Sequence, residues 1–173
     1  CHGHAPVTSV SKAIQHSCNG YFCQVFRETI EKDGFNEVVT GLDTLAQHLN
    51  SFGMGKRLGI DLPNELSGNV PIPEYYNKIH GKGGWKSTAI ISLGIGQGEF
   101  LVTPLQMANL TAIIANRGWY YTPHLAKQFK SDTSKIPLEY RTKNYTMVER
   151  QHFDPVVQGM HDVTLEGTAR VAQ

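Results

Sequence analysis

Long apolar runs are the first thing this sequence lacks. No stretch of its 173 residues approaches the roughly 20 consecutive apolar residues of a bilayer-spanning helix, and no signal-peptide pattern opens the chain. An excess of either charge is missing as well. Sixteen Lys and Arg stand against 15 Asp and Glu, for a formal net charge of +1. Bulk electrostatics therefore favours neither nucleic acid nor an anionic membrane surface. The densest basic region, Lys127, Lys130, Lys135, Arg141 and Lys143, is interrupted by Asp132 and Glu139 and reads as a solvated face. Cysteine is scarce: three residues, an odd number, at spacings that make no disulfide framework. Cys18 and Cys23 lie too close along one segment to bridge easily if it is helical, so free thiols are expected, without bearing on the compartment. Internal repeats and low-complexity tracts are absent.

What is present is an ordinary globular composition, 40% hydrophobic and 18% charged, with a mean hydropathy of −0.30. That suffices to bury a core and fits one domain or a large part of one. The chain opens Cys1-His2-Gly3-His4 without Met and closes Val171-Ala172-Gln173, and both ends are expected to be cuts within a longer protein.

Hydrophobic periodicity predicts mostly helix. A first helix is expected over Thr8–Gln15, with a break at Asn19-Gly20. A second carries Tyr21, Phe22, Val25, Phe26, Thr29 and Ile30 and stops near Gly34. A third fits Phe35–Phe52, closed by Gly53 in a left-handed cap. Residues 53–85, rich in Gly and Pro, read as a long functional loop. Thr103-Pro104-Leu105-Gln106 is a capping box with proline in the first turn. It predicts a helix over Pro104–Arg117, with one apolar face of Leu105, Ala108, Ala112 and Ala115, widened by Met107, Leu110, Ile113 and Ile114, and with Arg117 at the negative end of the dipole. Tyr120–Phe129 is a candidate strand limited by Pro123. A last helix lies within Val148–Val163, where Asp154-Pro155 either starts or kinks it. Val7, Ala13, Phe22, Leu42, Leu49, Leu105, Ile113 and Met160 are the expected core.

Two stretches say more. Ser17-Cys18-Asn19, led by Ala13-Ile14-Gln15-His16 and followed by Gly20-Tyr21-Phe22, resembles the S-x-N segment of class B penicillin-binding proteins. Leu93-Gly94-Ile95-Gly96-Gln97-Gly98, Thr103-Pro104-Leu105-Gln106-Met107-Ala108, Ala115-Asn116-Arg117-Gly118 and Pro123 resemble the I-G-Q-G, T-P-L-Q-x-A, A-N-x-G and P series of the same enzymes. Phe52-Gly53-Met54-Gly55 with Gly59-Ile60-Asp61-Leu62-Pro63-Asn64-Glu65 is similar to a further family loop. Gly159-Met160 with Gly167-Thr168-Ala169 resembles the stretch before the third motif. A lone S-x-N is worthless as a signal; the order and spacing of all these segments is specific and covers nearly the whole chain. The Gly3-His4 lead-in resembles the elongation-type members.

The resemblance implies an α/β fold class: a truncated piece of the serine D,D-peptidase/β-lactamase-like fold, mainly helical here with few strands. It implies a partial transpeptidase domain over residues 1–173, since the signature set is S-x-x-K, S-x-N and K-[ST]-G and only the second is matched. Ser9-Val10-Ser11-Lys12 is a literal S-x-x-K. A catalytic pair must converge with the S-x-N residues within roughly 2.6–3.2 Å, and the separation from Ser9 to Ser17 corresponds to about 12 Å of helical rise. Ser9 and Ser11 are better read as helix-start residues, with the true pair upstream. No Lys precedes Ser-Gly or Thr-Gly, and K-[ST]-G is expected shortly after residue 173. The implied catalytic residues are Ser17, hydrogen-bonding the missing lysine and relaying a proton to the leaving amine, and Asn19, orienting that lysine and holding a substrate amide. A hydroxyl that donates and accepts, and a carboxamide with both capacities at fixed geometry, suit those tasks.

The implied reaction is acyl transfer from D-alanyl-D-alanine to a stem-peptide amine, trapped by β-lactam antibiotics. No metal or organic cofactor is implied. The implied partners are peptidoglycan stem peptides, β-lactams and other cell-wall synthesis proteins, with no nucleic acid, in a periplasmic domain anchored to the inner membrane of the bacterial cell envelope. This piece alone is expected to be inactive and to self-associate. The rivals are a β-lactamase of the same superfamily and a β-lactam sensor or scaffold domain. Among bland readings, Gly94, Gly96 and Gly98 lack nucleotide-loop spacing and suit tight turning. Cys1, His2, His4 and His16 fall short of an ordered four-ligand zinc pattern. The sequons at Asn109 and Asn144 are read as chance.

Overall fold

The structure, a computed structural model, describes residues 3–126 and 137–172. Its regular elements are α1 (Val10–Gln15), α2 (Asn19–Ile30), α3 (Val38–Ser51), α4 (Pro73–His80), α5 (Pro104–Asn116), β1 (Trp119–Tyr121), β2 (Lys143–Tyr145) and α6 (Asp154–Leu165). Short 3-10 segments link them, the longest being Ser87–Ile95. The strands pair antiparallel, with Tyr120 opposite Asn144. Helix dominates the described residues, as expected, and no helix among them is long and apolar enough to cross a membrane.

Local chemistry explains the boundaries. At α5 both arms of the capping box are made: Gln106 N donates to Thr103 Oγ1 at 3.2 Å, and Thr103 N donates to Gln106 Oε1 at 2.9 Å. Arg117 caps the other end in a left-handed conformation, and its guanidinium donates to the Ile114 and Ala115 carbonyls, as the helix dipole favours. The end of α3 is closed by two reversed bonds, Gly53 N to Asn50 O and Met54 N to Leu49 O. This Schellman closure is possible because Gly53 takes φ +81°. Pro155 sits in the first turn of α6, so Asp154-Pro155 starts that helix.

Several expectations need correction. α2 begins at Asn19 rather than Tyr21; the break falls one turn earlier, at His16–Cys18. α3 begins at Val38, not Phe35, whose ring stays about half exposed. The supposed loop 53–85 contains α4, started by Pro73 with Glu74 in its first turn; prolines taken as loop markers are here a helix start. β1 is only three residues long, and residues 127–129 lie outside the described ones. The buried face of α5 is Gln106, Asn109 and Ile113, whereas Ala108, Ala112 and Ala115 are exposed. Of the expected core, Ala13, Leu42 and Ile113 are buried, Val7, Phe22, Leu49 and Leu105 are half-buried, and Met160 is exposed.

The core is three clusters. Phe26, Ile30, Val38, Leu42, Tyr76, Trp85 and Ile90 join α2, α3 and α4 to the 3-10 segment. Ala46, Met54 and Val70 form a second, and Ile113, Tyr120 and Phe153 a third. Buried Gln106 ties the irregular backbone to α5: its Nε2 donates to the carbonyls of Gly53, Lys56 and Ser67. Of these acceptors the Gly53 carbonyl is on a buried residue, where losing its partner would leave it unsatisfied.

Candidate active site

Ser9 starts α1: its Oγ accepts the Lys12 N–H at 3.4 Å. Lys12 Nζ donates to Gln15 Oε1 at 2.7 Å. The literal S-x-x-K is therefore a cap followed by a local side-chain bond, as its position implied. α1 is held on α6 by Ser11 Oγ donating to Pro155 O at 2.7 Å. It also lies on Gly159, where a Cβ would come within 2.8 Å of Ile14 Cβ and 2.9 Å of Ser11 O. Small size at Gly159 thus sets how closely the two helices approach.

Immediately after α1 the chain reverses through Ser17. Ser17 N bonds Ile14 O at 3.1 Å and Cys18 N bonds Ala13 O at 2.9 Å, the same paired closure that Gly53 makes after α3. Here the left-handed position is filled by serine, at φ +47°. A Cβ in that region costs on the order of 1–2 kcal/mol, and such strain in a non-glycine residue often marks a functional position. Two residues later Asn19 opens α2. The helix-to-helix reversal therefore puts both polar side chains, exposed, at one junction.

Ser17 and Asn19 line a cleft of about 450 Å³ with Ile14, Phe22, Gly94, Ile95 and Gly96. The two motif stretches, some 75 residues apart in the chain, thus meet. Gly94 is where the 3-10 segment touches α2: a Cβ there would fall 2.7 Å from Phe26 Cβ. Gly96 and Gly98 take positive φ and turn the chain away, in line with the turning role expected of them. Behind the cleft, Phe22 and Gly94 also border an apolar cavity of about 240 Å³ between α2 and α3.

The Ser17 hydroxyl lies 2.7 Å from Thr168 Oγ1. Its observed partner among the described residues is thus another hydroxyl, brought by the turn after α6. Thr168 N donates to Gln15 O at 3.2 Å, and Gly167 packs so tightly on that carbonyl that a Cβ would come within 2.3 Å. Sequence reasoning matched Gly167-Thr168-Ala169 to the family but missed this contact, for which no local signal exists.

Away from the cleft, two carboxylates brace the Gly59–Glu65 loop. Glu65 accepts the N–H groups of Leu58, Gly59 and Ile60 at 2.6–3.3 Å. Asp61 accepts those of Ala126 at 2.8 Å and Leu125 at 2.9 Å, and these bonds hold its carboxyl below the ordinary aspartate range. Cys18 and Cys23 form no disulfide. His4 and His16 stack with ring centroids 5.1 Å apart. No group of three or more His, Cys, Asp or Glu able to hold a metal occurs among the described residues; Cys1 and His2 lie outside them. Asn109 is buried within α5, where no glycan fits, and Asn144 is half-buried on β2.

Comparison with known proteins places the chain in a family. The penicillin binding protein transpeptidase domain matches residues 2–173. The peptidoglycan D,D-transpeptidase MrdA of Haemophilus influenzae is 34% identical over 170 residues, which are 95% of this chain and 24% of that protein. PBP2 of Pseudomonas aeruginosa, solved in complex with WCK 5153, superimposes with a TM-score of 0.69 at 30% identity, over 95% of this chain and 34% of that one. PBP2 of Helicobacter pylori, solved in complex with MreC, gives 0.67 at 28% identity, over 92% of this chain and 26% of that one. The chain thus spans about a quarter of its curated relative's length. Its architecture is part of the penicillin-binding, β-lactamase-like fold, mainly helical in this segment with one two-stranded sheet. The chain belongs to the penicillin binding protein transpeptidase domain family.

Proposed function

We propose that the full-length protein is a peptidoglycan D,D-transpeptidase of the elongation type, in which Ser17 and Asn19 belong to the active site. A serine of an S-x-x-K motif, in sequence beyond these residues, attacks the D-alanyl-D-alanine amide and D-alanine leaves. The acyl group then passes to the amine of a neighbouring stem peptide. Ser17 hydrogen-bonds the lysine of that motif and relays the proton towards the leaving amine. Asn19 orients the same lysine and holds a substrate amide carbonyl. β-Lactams acylate the same serine. The protein works in the bacterial cell envelope, in a periplasmic domain carried by an inner-membrane anchor, alongside other cell-wall synthesis proteins.

The observation that carries this reading is the left-handed Ser17, held beside Asn19 on a cleft that the Gly94–Gly96 turn completes. The similarity to MrdA and to two PBP2 structures supports the substrate and the subtype. The test is acylation of the full-length protein by a labelled penicillin. Ser17→Ala and Asn19→Ala should each slow it by roughly 10²–10⁴-fold, the range for losing a positioned proton-transfer group, while Ser9→Ala should cost little. Loss of labelling with Ser9→Ala but not with Ser17→Ala would overturn the assignment.

A further inference from the structure

We propose that Thr168 is a positioning residue for Ser17, its hydroxyl restricting Ser17 to two orientations of its proton and lone pairs relative to the cleft. The inference rests on the reading of Ser17 as a proton relay. The two oxygens lie 2.7 Å apart across a sequence separation of 151 residues. The segment carrying Thr168 is placed by contacts that do not use its side chain. Thr168 N bonds Gln15 O, Ala169 N bonds Val163 O at 3.1 Å, and Gly167 lies flat against Gln15 O. The hydroxyl contact is thus separable from the fold of the turn.

The chemistry explains what it adds. Serine has one hydroxyl hydrogen and two acceptor lone pairs. A relay must take a proton on one side while releasing its own on another, so its resting orientation matters. When Ser17 donates to Thr168, its lone pairs face the cleft and suit an approaching ammonium group. When Thr168 donates instead, the Ser17 hydrogen is free to turn towards the cleft. Rotation of the two O–H bonds interconverts these states without moving charge, which a threonine partner permits and a valine does not. The β-branch of Thr168 also narrows its χ1 choices, holding Oγ1 in place. Ser17 is held no less firmly, by the paired closure of α1.

The test uses the full-length protein and the acylation rate with a labelled penicillin. Thr168→Val keeps the backbone N–H and the branched shape, and should lower the rate on the order of 10-fold, the upper worth of one neutral hydrogen bond. Thr168→Ser should recover most of it. In the Ser17→Ala background Thr168→Val should cost nothing more, because a residue acting through Ser17 has nothing left to act on. Should Thr168→Val fail to fold, the Thr168→Ser and Thr168→Ala pair gives the same comparison, since they differ in the hydroxyl alone. A valine variant as fast as wild type, a serine variant as slow as valine, or losses that multiply in the double variant would each overturn the proposal. A wild-type protein that takes no label, or a Ser17→Ala variant at the wild-type rate, would instead overturn the underlying reading and this one with it.

Discussion

Ser17 combines a left-handed backbone, at φ +47°, with the proton-relay role proposed for it. It fills the left-handed position that ends α1, where glycine avoids the Cβ penalty. Ser17→Gly and Ser17→Ala both remove the hydroxyl and differ only at Cβ. The glycine variant of this chain should be the more stable by about 1 kcal/mol, read as a higher melting temperature, while both variants of the full-length protein lose acylation. Equal melting temperatures would mean that Ser17 is not strained. Asp61 makes the second residue-scale case. The Ala126 N–H, then that of Leu125, lowers its pKa on folding. The bonds therefore stabilise the folded chain above the ordinary aspartate pKa of about 3.9, and that contribution is lost as pH falls through the lowered folded value. In an acid titration followed by amide chemical shift, Leu125 and Ala126 should move together on the acid side of the ordinary value, and Asp61→Asn should abolish the step.

At the scale of elements, α1 is short and owes its place to α6. The approach runs through Gly159, so Gly159→Ala should force the helices apart and destabilise the chain by about 1–3 kcal/mol, the usual cost of overpacking, measured as a lower denaturant midpoint. An unchanged midpoint would mean that Ile14 and the α1 backbone shift freely. The elements also show which signals are legible. α5 was readable to within a residue because its start is local chemistry: Thr103 and Gln106 close the capping box on each other and Pro104 fits the first turn. Of its apolar face Ile113 is fully buried, while the alanines match helical spacing and stay exposed; the environment selects Gln106 instead, whose amide meets three carbonyls from another part of the chain. α4 was missed because Pro71, Pro73 and nearby glycines outweighed a short helix that depends on burying Tyr76 against Trp85. β2, three polar or aromatic residues, has no periodic signal and exists through its pairing with β1.

For the whole molecule, the arrangement of hydroxyls predicts that this chain alone forms no covalent adduct with penicillin. A serine is a weak nucleophile until a base takes its proton. Ser17 meets the hydroxyl of Thr168, and Ser9 is engaged in capping α1 while Lys12 is turned to Gln15. Intact-mass spectrometry after incubation with excess penicillin should show the unmodified mass; a stoichiometric adduct on any serine would show a working nucleophile within these residues. The division between sequence and structure follows from the range of the interactions. Composition, helix caps and the order of the motifs are properties of neighbours along the chain, so the helical character and the family were open to reading from residues alone, and Ser17 and Asn19 stood out as the candidate pair. Tertiary packing decided the rest. The close contact of α1 with Gly159 and Gly167 brings Thr168 to Ser17, and the bare Cα of Gly94 lets the turn of residues 94–96 close the cleft over α2. Such contacts join residues tens to more than a hundred positions apart, and only the folded chain selects them, through steric fit and the pairing of buried polar groups.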